Sequence, residues 1–177
     1  DTTGITRNAL KALTDMNGKY YESEYEEAFC DLLREQGWII EHGENLHRKF
    51  TDALIEDDLL AFLRGQYSSC GMTDSDFSTI IAHLRNIGGA TDYIGHREAF
   101  KVYHDGVDFN FPDPSKPSVH VDYIDYTKTG YKHNIFRAVN QFEMHEGKEN
   151  RRPDIMLFIN GIPVGIIELK NPTDQNA

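Results

Sequence analysis

Residues 153–170 decide the fold, and they read Pro-Asp-Ile-Met-Leu-Phe-Ile-Asn-Gly-Ile-Pro-Val-Gly-Ile-Ile-Glu-Leu-Lys. Two apolar runs flank Asn160-Gly161, a dipeptide that favours the tight turn of a β-hairpin. Both runs are apolar enough for the centre of a sheet, yet each carries charge at the end away from the turn. Asp154 lies on the first strand, and Glu168 and Lys170 lie on the second. Since such groups are rarely buried without a partner, we expect the three to act together.

The register of this hairpin determines whether Asp154 faces Glu168. A two-residue loop at Asn160-Gly161 would place Asp154 opposite Ile167 and leave Glu168 on the other face of the sheet. One extra residue, for example in a type I turn with a glycine bulge at Gly161, would move the partner of Asp154 to Glu168. The turn dipeptide alone leaves both registers open.

A proline and a glycine in the second strand favour the irregular register. Pro163 and Gly165 are both poor strand residues, so we expect a bulge or a longer loop that brings Asp154, Glu168 and Lys170 together. Such a trio suits metal-assisted hydrolysis of a phosphodiester, because Mg²⁺ takes one or two carboxylates plus waters and substrate oxygens. Lys170 could position or deprotonate the attacking water, or stabilise the developing charge. The alternative is a solvated salt bridge at a sheet edge.

A helix predicted over residues 22–36 supplies further carboxylates. Its apolar face comprises Tyr25, Ala28, Phe29, Leu32 and Leu33, which recur at helical spacing. Gly37 is expected to end the helix. Glu22 and Glu26 fall one turn apart beside the apolar face, so either could be a further metal ligand or an anchor for water. The alternative is an acidic first turn that complements the helix dipole.

The rest of the chain predicts helices first and an antiparallel meander afterwards. Two more helices are expected over 54–64 and 74–86. The later segments are expected to be a hairpin of 99–104 and 107–111 around Asp105-Gly106, a strand over 119–126, an extended run over 135–142, and a polar loop over 143–152. This order predicts an α+β fold or a mixed sheet.

The composition is that of one globular domain. The chain has 177 residues, of which 39% are hydrophobic and 27% charged, and one domain is the default at this length. No run approaches the ~18 apolar residues of a membrane-spanning helix, and two cysteines are too few for a disulfide framework. We therefore expect a cytoplasmic protein without a membrane partner. The net charge of −11 excludes a non-specific nucleic-acid coat, but not an enzyme whose cations meet the phosphate.

Together these residues resemble the N-terminal nuclease domain of the R (restriction and motor) subunit of type I restriction enzymes, within the PD-(D/E)xK superfamily. The resemblance covers about residues 20–172. It rests on Glu22-x-x-Tyr25-Glu26 with Leu33 and Gly37-Trp38, on the strand pair Phe100 to Phe111, on Val121 to Asp125, on Asn134 to Phe142 and especially Val139-Asn-Gln-Phe142, and on Arg151 to Pro172. It implies a restriction-endonuclease-like fold, α/β/α-like, with a mixed central β-sheet flanked by helices.

The resemblance assigns roles to the end of the hairpin. It implies that Asp154 and Glu168 are metal ligands, that the backbone carbonyl of Leu169 is a further ligand, and that Lys170 is the catalytic lysine. The implied cofactor is Mg²⁺, for which Mn²⁺ would substitute.

Two further groups of residues are candidates for the same reaction. The helix glutamate of related nucleases maps best onto Glu26, with Glu22 as the second choice. Four basic side chains could contact DNA phosphates, namely Lys128, Lys132, Arg151 and Arg152. The alternative for these four is solvated loop charge.

The implied activity is Mg²⁺-dependent cleavage of double-stranded DNA after ATP-driven translocation. The implied partners are DNA, the methylation (M) and specificity (S) subunits, and the helicase motor of the same subunit. The chain has no Gly-x-x-x-x-Gly-Lys-Ser/Thr loop, so ATP would bind only through motor domains outside it.

Residues 1–177 are thus predicted to be a single nuclease domain, a fragment of a longer subunit. The end of the domain is expected to be truncated, because Gln175 is not followed by the Tyr that completes the family's Gln-x-x-x-Tyr helix. The alternative function is a non-catalytic docking domain with a decayed nuclease site that links the motor and methylase subunits.

Overall fold

The computed structural model describes residues 22–88, 93–146 and 149–169, with the side chains of 23–87, 99–145 and 150–169. The helices in this part of the chain are α1 (Glu22–Glu35), α2 (Glu56–Tyr67), α3 (Asp74–Gly88) and α4 (Tyr93–Asp105). The strands are β1 (Ile39–His42), β2 (Val107–Phe109), β3 (Val119–Val121), β4 (Phe136–Asn140), β5 (Met144–Glu146), β6 (Glu149–Arg151), β7 (Ile155–Ile159) and β8 (Ile162–Ile167).

The central element is a four-stranded mixed sheet in the order β1-β4-β7-β8. Strand β1 runs parallel to β4, whereas β4, β7 and β8 are antiparallel to their neighbours. Strands β2 and β3 form a separate small sheet, as do β5 and β6. The predicted α+β fold with a mixed sheet and flanking helices is confirmed.

The two faces of the central sheet are covered by different parts of the chain. On one face Cys30 of α1 packs in a cluster with Ala138 and Ile155. On the other face Met156 and Phe158 pack with residues such as Ile55, which precedes α2. Neighbouring side chains of β7 therefore pack on opposite faces of the sheet, because strand side chains alternate between faces.

A buried ion pair fixes helix α2 to the sheet. Asp58 is 6% exposed, and Arg137 of β4 donates to its two oxygens over 2.6 and 2.8 Å. The remaining face of α2 packs with α3 in the largest apolar cluster of the described residues, which includes Leu59, Phe62 and Phe77. Helix α2 thus joins the sheet to that cluster.

The hairpin predicted around Asp105-Gly106 is wrong, because residues 99–104 belong to helix α4. The backbone N–H of Gly106 donates to the carbonyl of Val102 over 3.0 Å, and Gly106 has a φ of +70°. Gly106 therefore ends a helix instead of turning a hairpin. Strand β2 follows it and pairs with β3. The strand pair Phe100 to Phe111, used for the family resemblance, is corrected in the same way.

Two other segments also differ from the prediction. The strand expected over 119–126 is limited to β3, Val119–Val121. The polar segment 143–152 is not a loop throughout, because β5 and β6 form a short antiparallel pair. His145 of β5 donates its backbone N–H to the carbonyl of Phe50 over 2.9 Å, and the two rings stack. A contact across about 95 residues, invisible to local sequence patterns, supports this pair.

The remaining elements lie where the sequence places them. Helices α1, α2 and α3, strand β4 and the β7–β8 hairpin match their predicted segments. Among the described residues no helix is both long enough and apolar enough to cross a bilayer.

Candidate active site

The turn of the β7–β8 hairpin is a tight one. Asn160 and Gly161 have φ values of +52° and +77°, as a two-residue type I′ turn requires. Asn160 is fully buried, and its side chain accepts from the N–H of Ile135 at 2.7 Å and donates to the carbonyl of Tyr123 at 2.9 Å. The turn is thereby anchored inside the molecule.

A β-bulge in β8 sets the register at the other end of the hairpin. Phe158 pairs with Pro163, but Leu157 pairs with Gly165, so the strand carries one extra residue, Val164. Beyond the bulge Ile155 pairs with Ile167. The predicted irregularity is therefore present, although it lies between Pro163 and Gly165 and not in the turn.

Continued one position outward, the shifted register brings Asp154 opposite Glu168 at the open end of the hairpin. They are the next positions outward from the Ile155–Ile167 pair, and opposite residues of an antiparallel pair point to the same face. Asp154 is partly buried and Glu168 is exposed. The Oδ2 atom of Asp154 accepts the backbone N–H of Leu169 at 2.7 Å, which fixes the carboxylate against the end of β8.

Glu26 of α1 approaches the same end of the sheet through one intermediary. Its partly buried carboxylate accepts from Nε2 of Gln141 at 3.1 Å to each oxygen. The backbone N–H of Gln141 donates to the carbonyl of Asp154 at 2.9 Å. Glu26, Gln141 and Asp154 thus form a connected series.

Two of the predicted catalytic groups cannot be placed. Lys170 lies outside the described residues, and so does the side chain of Glu22, although Glu22 begins α1. Their roles stay predictions, as do the roles assigned to Asp154, Glu168, Glu26 and the carbonyl of Leu169.

The four basic residues predicted to meet DNA are all exposed, but they lie at different ends of the hairpin. Arg151 and Arg152 directly precede the Asp154 end. With Gln141 and Arg48, Arg152 lines a cleft of about 100 Å³. Lys128 and Lys132 lie in the segment 125–134, whose Asn134 accepts from Asn160 of the turn at 2.8 Å. Asp154 and Asn160 are six strand residues apart, about 20 Å.

The carboxylates at the Asp154 end have the chemistry of a magnesium site. A carboxylate has about four acceptor positions, and the N–H of Leu169 uses one of those of Asp154. Within the described residues no group of three or more His, Cys, Asp or Glu side chains is close enough to hold a metal ion. Two carboxylates nevertheless suffice for Mg²⁺, which usually keeps several waters. The residues therefore fit the ion that the sequence predicts.

A family model matches most of the chain. The model for the N terminus of the type I restriction enzyme R protein matches residues 19–177. The chain belongs to this family. The match includes every part of the site described above.

Two proteins that are similar to this R-protein N-terminal domain are named as endonuclease subunits of type I restriction enzymes. The endonuclease subunit of the type I restriction enzyme HindI, from Haemophilus influenzae, is 36% identical to this chain over 166 residues, or 88% of this chain. The putative MjaIXP endonuclease subunit of Methanocaldococcus jannaschii is 26% identical over 162 residues, or 86% of this chain. The chain spans 15% of the length of each relative.

Sequence reasoning missed the contacts of Gln141 with Glu26 and Asp154. The residue belongs to the Val139-Asn-Gln-Phe142 segment that contributes to the family resemblance, but a glutamine after a strand carries no local signal for a site. Its contact with Glu26 spans 115 positions of the chain. The contact depends on how α1 packs on the sheet, which no local pattern encodes.

Proposed function

We propose that this domain is the endonuclease module of a type I restriction enzyme R subunit and that it hydrolyses phosphodiester bonds of double-stranded DNA with Mg²⁺. The observation that carries the proposal is the bulge of β8, because the register it sets, continued one position beyond the Ile155–Ile167 pair, brings Asp154 opposite Glu168 at one end of the central hairpin. A regular two-residue hairpin would have separated them onto opposite faces. Family membership supports DNA as the substrate.

In this reaction Asp154 and Glu168 would hold the cation, together with the backbone carbonyl of Leu169. A bound Mg²⁺ would supply positive charge that offsets the charge developing on the phosphate. Lys170 would position the attacking water or take its proton. A bond forms from the water oxygen to phosphorus, the bond from phosphorus to the leaving sugar oxygen breaks, and that oxygen acquires a proton.

The wider assembly is part of the same proposal. The two curated relatives are named as endonuclease subunits of type I enzymes, and each is far longer than this chain. ATP-driven translocation would reside in motor domains of the R subunit, and the M and S subunits would supply methylation and recognition. The domain itself would need no ATP site.

Metal binding by the 177-residue chain tests the site directly. Calorimetry with Mn²⁺ should detect binding to the wild type and at least a tenfold loss in Asp154→Asn and Glu168→Gln. Asp154→Asn suits this test because its amide oxygen can still accept the N–H of Leu169. Asp113→Asn is the matched control, since Asp113 lies in an exposed loop where it accepts from Ser115. Its affinity should equal that of the wild type.

Cleavage tests the reaction. In the full-length gene product, Asp154→Ala, Glu168→Ala and Lys170→Ala should each abolish Mg²⁺-dependent cleavage of duplex DNA while the protein still folds. Retained cleavage in all three would refute the proposal. Wild-type Mn²⁺ binding no stronger than that of Asp154→Asn would instead favour the docking domain with a decayed site.

A further inference from the structure

Gln141 connects the helix that carries Glu26 to the strand that begins after Asp154. Its Nε2 lies 3.1 Å from both carboxylate oxygens of Glu26, and its backbone N–H donates to the carbonyl of Asp154 at 2.9 Å. Because a carboxylate only accepts hydrogen bonds, the amide nitrogen and not the amide oxygen faces Glu26. A single residue therefore contacts two of the predicted catalytic residues.

The backbone of Gln141 is held in an unfavourable conformation to make these contacts. Its φ is +56°, in the left-handed region that residues with a Cβ seldom adopt. The neighbouring chain fits closely around it, since a Cβ on Gly43 would lie 2.4 Å from the carbonyl oxygen of Gln141. Such conformations persist where the surroundings determine them, and they concentrate at functional sites.

The left-handed backbone conformation does not by itself explain why residue 141 is a glutamine. Gly or Asn would adopt the left-handed backbone at lower cost, as Asn160 does in the hairpin turn. Glutamine adds a longer side chain with an amide donor, and both are used to reach Glu26. Conformation alone therefore does not account for glutamine at this position.

We propose that Gln141 is a positioning residue that orients the Glu26 carboxylate at the end of the sheet where Asp154 lies, and that Glu26 there anchors the water shell of the divalent cation. Mg²⁺ and Mn²⁺ keep several waters when one or two carboxylates bind them. A carboxylate held in one orientation accepts hydrogen bonds from those waters at a smaller loss of side-chain entropy. The inference rests on the proposed nuclease site and adds to it the residue that orients its helix glutamate.

Mn²⁺ calorimetry on the 177-residue chain tests this role with two complementary variants. Gln141→Asn suits the left-handed backbone but is one methylene shorter, and Gln141→Met keeps the length but has no donor. Both should weaken Mn²⁺ binding about tenfold, within the range seen when residues that orient metal ligands are removed. Gln36→Asn, an exposed glutamine after α1, is the matched control and should bind like the wild type.

A double variant separates positioning from a general structural effect. If Gln141 acts through Glu26, then Glu26→Gln/Gln141→Met should bind Mn²⁺ no more weakly than Glu26→Gln alone. Additive losses would overturn the proposal. Thermal unfolding without metal establishes that each variant is folded, and Gln141→Asn decides the question should Gln141→Met fail to fold.

Failure of this inference differs from failure of the proposed function. Wild-type affinity in both Gln141 variants, with affinity lost in Asp154→Asn, would overturn only the role of Gln141. Wild-type affinity in Asp154→Asn would overturn both, because Gln141 would then have no metal site to organise.

Discussion

At the scale of single residues, Asp154 combines a structural contact with its proposed role. Its Oδ2 accepts the N–H of Leu169 at 2.7 Å, and its carbonyl accepts the N–H of Gln141 at 2.9 Å. An alanine at this position removes the first hydrogen bond as well as the charge, at a cost of about 1 kcal/mol in stability. The isosteric amide keeps the geometry and removes only the charge, which is why it distinguishes function from folding.

At the same scale, a substitution of Asp58 tests how much the buried ion pair with Arg137 contributes to stability. Asp58→Asn should lower the free energy of unfolding by about 3 kcal/mol, because it removes the buried charge that pairs with Arg137 at 2.6 Å and leaves Arg137 with the longer contact to Glu41, at 3.9 Å. The hydrogen bond to Asp58 raises the pKa of Arg137 in the wild type. In the variant Arg137 still keeps its charge, because an arginine side chain does not lose its proton in proteins. Urea denaturation measures the change.

Asp74→Asn is the matched control for that experiment. Arg64 donates to both oxygens of Asp74 over 2.8 and 2.7 Å, nearly the geometry of the Arg137–Asp58 pair, but both side chains are exposed. Exposed pairs contribute little to stability, so the urea midpoint should hardly move. Equal losses in the two variants would show that burial of the pair is not the cause.

At the scale of elements, the two ends of the β7–β8 hairpin differ, because one is anchored by hydrogen bonds and the other carries the predicted metal ligands. The turn end is immobilised by Asn160, which is bonded to Ile135, Tyr123 and Asn134. The open end holds Asp154 and Glu168, and the bulge at Val164 lies between the two ends. The anchored turn and the bulge together determine which residues meet at the open end.

Gly161 tests the anchored turn. Gly161→Ala should lower the free energy of unfolding by about 3 kcal/mol or more, through left-handed strain and a disrupted hydrogen bond. The added Cβ would lie 2.0 Å from the carbonyl oxygen of Ile55, whose N–H donates to the carbonyl of Gly161 at 2.9 Å. Thermal and urea unfolding measure the loss.

A substitution of Gly37 is the control that separates backbone strain from steric crowding by the added Cβ. Its φ is +89°, yet nothing lies within 4 Å of an added Cβ. Gly37→Ala should therefore cost only the left-handed strain, about 1 kcal/mol. Were Gly161→Ala to cost no more than this, close approach to Ile55 would not constrain the turn.

The same hairpin shows what the sequence could and could not predict. The Asn-Gly dipeptide and its apolar flanks are local signals, so the hairpin and its need for a bulge were predictable. The position of the bulge was not, because Pro163 and Gly165 permit irregular pairing on either side of Val164. Strands β5 and β6 and the contact of Gln141 with Glu26 depend on distant packing.

Helix α4 shows how a local pattern can mislead. The segment Ala99 to His104 alternates loosely between apolar and polar residues, which favours a strand, and Asp105-Gly106 favours a hairpin turn. Ala99, Val102 and Tyr103 also share a helical face, and the last two pack against the apolar cluster of α2 and α3. The sequence of this segment supports the two-residue period of a strand and the period of a helix almost equally. Tertiary packing determines that the segment is a helix.

At the scale of the whole molecule, the net charge of −11 opposes the approach of DNA. A negatively charged domain can still act on a phosphodiester if a cation lies between its carboxylates and the phosphate. Under the proposed function, the exposed Arg152 near the Asp154 end would supply a phosphate contact. The net negative charge agrees with the proposal that other parts of an assembly deliver this domain to DNA.

Duplex binding by the 177-residue chain tests this view. Affinity should be weak at low salt, because the net charge repels DNA, and should fall further as salt is added, because salt weakens the few contacts between basic side chains and phosphates. Arg152→Gln should reduce the slope of log K against log salt by about one phosphate contact, whereas Arg34→Gln on the exposed face of α1, where Arg34 pairs with Asp31, should leave it unchanged. Fluorescence anisotropy over a salt series measures both slopes. Tight binding that resists salt would mean that the domain holds DNA by itself, and equal slopes for the two variants would exclude Arg152 from the contact.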